Sequence, residues 1–155
     1  MNIYEFYSKP EQLAGHNDKM EYLVPDLAVN FIKDVYGDGG GYDDVPNLPR
    51  LESTIAKDPY ASYNYASEIL DGPFPEGEPT IAKSANLSLR YAIYIIRKRF
   101  PLGEDIISKD PQYAWYYVRD IIKGRWEKGE KAILSDPETA KQYNNLLRYG
   151  SRGEI

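Results

Sequence analysis

A chain of 155 residues, 42% hydrophobic and 28% charged, has enough apolar material for a packed core, and no apolar run approaches the ~18 residues that mark a membrane-spanning helix. A formal net charge of −5 argues against a strongly basic nucleic-acid binder, and the absence of cysteine excludes disulfides, a thiolate nucleophile and Cys-ligated zinc. No basic flank followed by an apolar stretch opens the chain, so it reads as cytoplasmic.

The acidity is uneven. Residues 1–50 hold four Lys/Arg against nine Asp/Glu, and residues 51–155 hold fifteen of each. A DNA mimic would need a dense surface of one sign, which the longer segment lacks. Tyrosine is abundant, at fifteen residues, and its apolar ring with a polar tip suits half-buried positions in a core or at an interface.

The acidic first 50 residues contain three features. His16, the only histidine, lies in the polar stretch LAGHNDK without partners for a metal or a catalytic triad, and reads as a surface residue. "PDLAVNFIKDV" (Pro25–Val35) marks a diverged first repeat over about 20–36. "GDGGGYDD" (Gly37–Asp44) predicts a loop. Its glycines lack the Lys and Ser/Thr of a phosphate-binding loop. Asp34, Asp38, Asp43 and Asp44 lack the spacing and closing Glu of a calcium hand, so a solvated loop is the better reading of the two.

From Leu51 onward the chain repeats every 26 residues. Ile55, Ile81, Ile107 and Ile133 keep that step, as do Tyr65, Tyr91, Tyr117 and Tyr143; Phe74, Phe100 and Trp126; and Gly77, Gly103 and Gly129. Four repeats follow: 51–77, 78–103, 104–129 and 130–155, the last without the closing aromatic and glycine. Pro25–Val35 aligns with Pro111–Ile121 as a diverged earlier copy. Asp58-Pro59, Asp110-Pro111 and Asp136-Pro137, with Ser84-Ala85 in their place once, predict an N-cap and first residue for a long helix of about 13 residues. Gly72, Gly124 and Gly150 are expected to stop it. The acid-led segments ahead of each cap, such as "EDII", predict a shorter helix whose acids face its positive end.

One such hairpin cannot bury its apolar face alone, and stacked neighbours can. The expected fold is therefore all-α, a compact solenoid-like array of stacked short-helix/long-helix repeats forming one continuous domain. A globular bundle born of duplication is the alternative. The pattern DP-x-x-A-x-x-Y-(A/V)-x-x-I-(I/L)-x-G-R-(F/W)-x-x-G-E resembles short Tyr-rich helical repeats in uncharacterised proteins of large tailed bacteriophages. The resemblance covers about Leu51–Arg148 and brings no catalytic residues. It implies a phage-like origin and action in a bacterial host's cytoplasm.

Three positions spaced i, i+4, i+7 on each long helix change identity while the core positions recur. They are Asn64, Glu68 and Asp71; Arg90, Tyr94 and Arg97; Tyr116, Asp120 and Lys123; and Gln142, Leu146 and Tyr149. In solenoids such a stripe binds partners; exposed salt bridges between repeats are the plainer reading. The expected function is a non-enzymatic protein-binding module acting on a bacterial protein, with Arg90, Tyr94, Arg97, Tyr113, Tyr116 and Arg119 as anchors, no metal or cofactor, and a homodimer open. The alternative is nucleic-acid binding through the basic–aromatic corners "RKRF" and "KGRW", with Arg99 and Arg125 on phosphate. The plainer reading of those corners is that Phe74, Phe100 and Trp126 plug gaps between repeats. A third option, an enzyme using the Asp-rich loop with a metal, ranks last.

Overall fold

In all four repeats one side chain starts the long helix. Asp58 accepts the Ala61 N–H at 2.8 Å, Ser84 accepts the Leu87 N–H at 3.3 Å, and Asp136 accepts the Thr139 N–H at 2.9 Å. Asp110 accepts from both Gln112 and Tyr113, each at 2.9 Å. Each bond satisfies an N–H that the helix cannot pair itself. The computed structural model describes residues 24–37, 39, 41–45 and 48–150. His16, Asp38 and the start of the diverged copy fall outside them.

Among the described residues every regular element is helical, so the class is all-α. The chain divides into two compact units, Met1–Gly77 and Glu78–Ile155. The division falls at a boundary between two sequence repeats and not at the composition change near residue 50.

In the N-terminal unit, α1 (Val24–Gly37) leads through a short 3-10 turn (Tyr42–Asp44) to α2 (Leu48–Ile55) and α3 (Pro59–Asn64), and α3 continues as a π-helical segment, Tyr65–Leu70. Helix α1 packs on α2 and on α3 with its continuation. It buries Ala28, Phe31 and Ile32, in the register in which the aligned Ala114, Tyr117 and Val118 are buried. Lys33 of α1 pairs with Glu68. In the Asp-rich loop, Asp44 accepts the Gly41 N–H at 2.7 Å and closes the turn.

The C-terminal unit holds α4 (Glu78–Ile81), α5 (Ala85–Arg90), α6 (Pro101–Ile107), α7 (Pro111–Tyr117), α8 (Glu127–Ser135) and α9 (Pro137–Tyr149). Helix α5 continues as π-helical Tyr91–Ile95 and α7 as π-helical Val118–Ile122. Long helices α5, α7 and α9 pack in sequence, α7 also touches α8, and short helix α6 touches both α4 and α8.

The long helix thus differs from the uniform α-helix the sequence predicts: three of the four change pitch halfway. The π-turn ends in i→i−5 or i→i−6 bonds, such as Lys123 N–H to Val118 O at 2.6 Å and Lys98 N–H to Ala92 O at 3.2 Å. A left-handed residue follows: Asp71 (φ 45°), Arg97 (φ 52°) or Lys123 (φ 57°). Gly72 and Gly124, expected to stop these helices, do not take that conformation; Gly150, after α9, has a positive φ of 64° but an extended ψ of −163°. The widened turn reverses the chain so that the next aromatic folds back onto the repeat's tyrosine. The ring centroids lie 4.9 Å apart for Tyr65–Phe74, 5.1 Å for Tyr91–Phe100 and 5.0 Å for Tyr117–Trp126. The last repeat has no such aromatic, and α9 runs α-helical to its end.

Glycines recur where two elements touch. A Cβ on Gly103 would lie 2.6 Å from the Ser88 Cβ and 2.7 Å from a Phe100 ring carbon. Gly77 is in the same position against Ser62 and Phe74, and Gly129 against the Trp126 ring.

Candidate functional site

The most ordered polar cluster is built on the recurring tyrosines. Tyr65, Tyr91, Tyr117 and Tyr143 are all fully buried, and each hydroxyl donates to the glutamate thirteen residues earlier: Glu52, Glu78, Glu104 and Glu130. The Tyr117 and Tyr143 hydroxyls also accept a backbone N–H. Phe100 gives its N–H to Tyr117 at 2.8 Å, and Trp126 gives its own to Tyr143 at 3.0 Å. Phe100 and Trp126 stand at the starts of α6 and α8, where no side chain caps the helix. The tyrosine tip therefore satisfies a buried donor of the preceding repeat, while the Tyr117 ring rests on the aromatic of its own.

The electrostatics of this joint are strongest at Glu104, which is 4% exposed. Arg99 holds it with two bonds, Nε to Oε1 at 2.7 Å and Nη2 to Oε2 at 2.9 Å. That guanidinium holds the carboxyl below its usual range against the opposing effect of burial, and the Tyr117 hydroxyl and the Lys128 charge add to it. Burial pushes the Tyr117 phenol well up, the Phe100 N–H opposes this, and Glu104 raises it further. Arg125 and Glu130 repeat the pair at 3.1 Å, in a more exposed setting. The recurrent acids thus have a reason beyond the helix dipole, since each is the acceptor that a buried phenol needs. Sequence reading missed that role, although the constant Glu-to-Tyr spacing carried the signal.

This geometry also bears on the basic–aromatic corners. Phe100 and Trp126 are buried and offer no ring face to a base, and Arg99 and Arg125 are engaged by carboxylates. The burial leaves no ring for base stacking at these corners, and each aromatic rests on the tyrosine of its own repeat.

The outward face is different in kind. Within the C-terminal unit a groove of about 800 Å³ runs between α7 and α9, with Trp115, Arg119, Asp120 and Lys123 on one side and Leu146 and Tyr149 on the other. Ile93 of the α5 continuation reaches its edge. A smaller cavity of about 330 Å³ shares Trp115, Arg119 and Gln142 and adds Tyr116. Five positions of the variable stripe, Asp120, Lys123, Gln142, Leu146 and Tyr149, line the larger groove.

Of the predicted anchors, Arg119 lines both cavities. It holds Asp120 with two bonds of 2.8 and 2.7 Å and lies 4.9 Å from the centre of the Tyr116 ring. That carboxylate raises the Arg119 guanidinium against the opposing effect of burial. Tyr94 is 63% exposed. Arg90 and Arg97 are exposed on the α5 side, and Tyr113 is half-buried; none of the three lines either cavity. The structure thus brings Tyr116 and Arg119 together, and leaves Arg90, Tyr94, Arg97 and Tyr113 outside both cavities. Trp115 and Leu146 were not among the predicted anchors. No group of three or more His, Asp or Glu with metal-holding geometry occurs among the described residues, and none of their helices is long and apolar enough to cross a membrane.

Comparison with known protein families, with curated proteins and with solved structures finds no match to this chain.

Proposed function

We propose that this chain is a protein-interaction module without enzymatic activity, which engages a bacterial protein through the outward face of its long helices. The resemblance to Tyr-rich phage repeats adds the context, an accessory or host-takeover factor in the host cytoplasm. One observation supports the reading above the others. The recurring tyrosines and glutamates are buried or bonded in the joints of the repeats, whereas five of the twelve varying positions line a groove with exposed Tyr149 and Arg119 at its rim. Aromatic and arginine side chains bring large contact area at low entropic cost and dominate protein interfaces.

The test is affinity capture from bacterial lysate with three baits: the natural chain, Arg90→Glu with Tyr94→Ala, and Arg119→Glu with Tyr149→Ala. A partner retained by the natural chain and lost from the variants, with helical circular dichroism unchanged, supports the module. Recovery of the same proteins by all three baits overturns the placement of the interface.

A further inference from the structure

The two units carry opposite charge. Residues 1–77 hold five Lys/Arg against fourteen Asp/Glu, a balance of −9, and residues 78–155 hold fourteen against ten, a balance of +4. The groove between α7 and α9 belongs to the cationic unit. Its only acid is Asp120, which Arg119 already holds through both oxygens. Lys123, which is exposed and has φ 57°, makes no ion pair among the described residues. The groove thus joins an apolar floor, Trp115 and Leu146, to one uncompensated ammonium group.

Its length sets the scale of an occupant. From Gln142 to Tyr149 the α9 wall rises about 10 Å, at ~1.5 Å per residue. That length matches about three extended residues or two helical turns. A nucleic-acid strand over that length brings several phosphates and needs as many free cations. A peptide carboxylate needs one cation.

We propose that the α7–α9 groove receives a short acidic peptide segment of a partner protein, with an apolar side chain over Trp115 and Leu146 and a carboxylate at Lys123. The inference rests on the protein-binding reading above and names the chemistry of the partner. Opposite charge at the rim steers encounter, and the apolar anchor holds the segment.

Fluorescence anisotropy tests it on the full chain with the labelled probe Glu-Leu-Glu-Glu-Leu-Glu-Tyr, its charge-reversed counterpart Lys-Leu-Lys-Lys-Leu-Lys-Tyr, and an oligothymidylate. Saturable binding of the acidic peptide alone is expected, weakened about tenfold or more by Lys123→Glu, a loss of ~1.4 kcal/mol. Leu146→Glu is expected to weaken it as much. Lys141→Glu, exposed and outside the groove, is expected to change it less than about twofold. Thermal unfolding of each variant separates a lost contact from a lost fold. Equal binding of the basic peptide, competition by oligothymidylate, no saturable binding, or indifference to Lys123→Glu overturns the inference. If lysate capture remains sensitive to the Arg119/Tyr149 pair while the acidic probe fails, the module stands and only the acidic partner falls. If capture is indifferent while the probe binds through Lys123, the reverse holds.

Discussion

Tyr117→Phe removes one oxygen from the centre of the joint and nothing else, so it isolates what that oxygen does. The hydroxyl donates to Glu104 at 2.8 Å and accepts from the Phe100 N–H at 2.8 Å, and all three residues are at most 4% exposed. A hydrogen bond to a charged acceptor contributes about 1.5–3 kcal/mol, and a buried donor left unpaired costs about 1–3 kcal/mol. Glu104 keeps its two Arg99 bonds, so the first loss falls at the low end, and the sum is about 3 kcal/mol. For a chain of this size the melting temperature should fall by about 6–12 °C. Tyr143→Phe is the internal control. Its bonds are longer, 3.3 Å to Glu130 and 3.0 Å from the Trp126 N–H, and the Glu130 side chain is 21% exposed, so the expected loss is about 1–2 kcal/mol. Both tryptophans of the chain, Trp115 and Trp126, lie in the C-terminal unit, so intrinsic fluorescence in a urea titration reports that unit directly. A Tyr117→Phe loss below about 1 kcal/mol, or one no larger than that of Tyr143→Phe, refutes the hydroxyl's role as the joint between repeats.

Gly103→Ala forces a Cβ into Ser88 and Phe100 and should cost at least ~1–3 kcal/mol, whereas Gly124→Ala meets nothing within 4 Å and should stabilise by about 0.4–1 kcal/mol; the same urea titration separates them. Trp126→Phe removes an indole N–H that is buried without a partner and restores the residue type of Phe74 and Phe100, so its cost should stay within about 1 kcal/mol despite the smaller ring. Glu104 has a lowered pKa in the folded chain, so its contribution is complete above the ordinary glutamate range near ~4.3 and is lost as pH falls through the folded value. Glu104→Gln should therefore flatten the acid limb of a stability–pH curve. Tyr117 has a raised pKa, so its contribution is complete below ~10 and is lost as pH rises through the folded value; Tyr117→Phe should flatten the alkaline limb.

The features legible in the sequence are those fixed by a single residue at a constant step. The caps at Asp58, Ser84, Asp110 and Asp136 could be read because a short polar side chain before Pro or Ala has one favourable use there. The burial of Tyr65, Tyr91, Tyr117 and Tyr143 could be read from the 26-residue step, and so could the burial of Ala28, Phe31 and Ile32 from their alignment with the later repeat. The π-turns could not. Helical spacing distinguishes poorly between 3.6 and a wider turn over five or six residues, and the choice is made by the aromatic that must return to the tyrosine ring. Nor could the left-handed residue: Gly72 and Gly124 drew the assignment, while Asp71 and Lys123 adopt the strained conformation. The groove lay beyond sequence reasoning because it is a relation between α7 and α9, although five of its lining residues belong to the variable stripe.

The last repeat shows how the same unit is altered when its outer side is not covered in the same way. Ala66, Ala92 and Val118 occupy one register and are fully buried, while the equivalent Asn144 is polar and exposed. Leu70, Ile96 and Ile122 are half-buried, and the equivalent Arg148 is exposed. These exchanges replace apolar surface by groups that would lose their water if another hairpin stacked there, at a cost of about 1–3 kcal/mol for each unpaired polar group. The absence of the returning aromatic and of the π-turn in this repeat belongs to the same change, since both serve to fold the chain toward a following hairpin. Helix α9 is thereby freed from the geometry that α5 and α7 obey, and its straight α-helical wall forms one side of the groove. Restoring Val at Asn144 and Ile at Arg148 should therefore increase self-association in sedimentation velocity, and a strictly unchanged monomer–dimer distribution would count against this account of the terminal repeat.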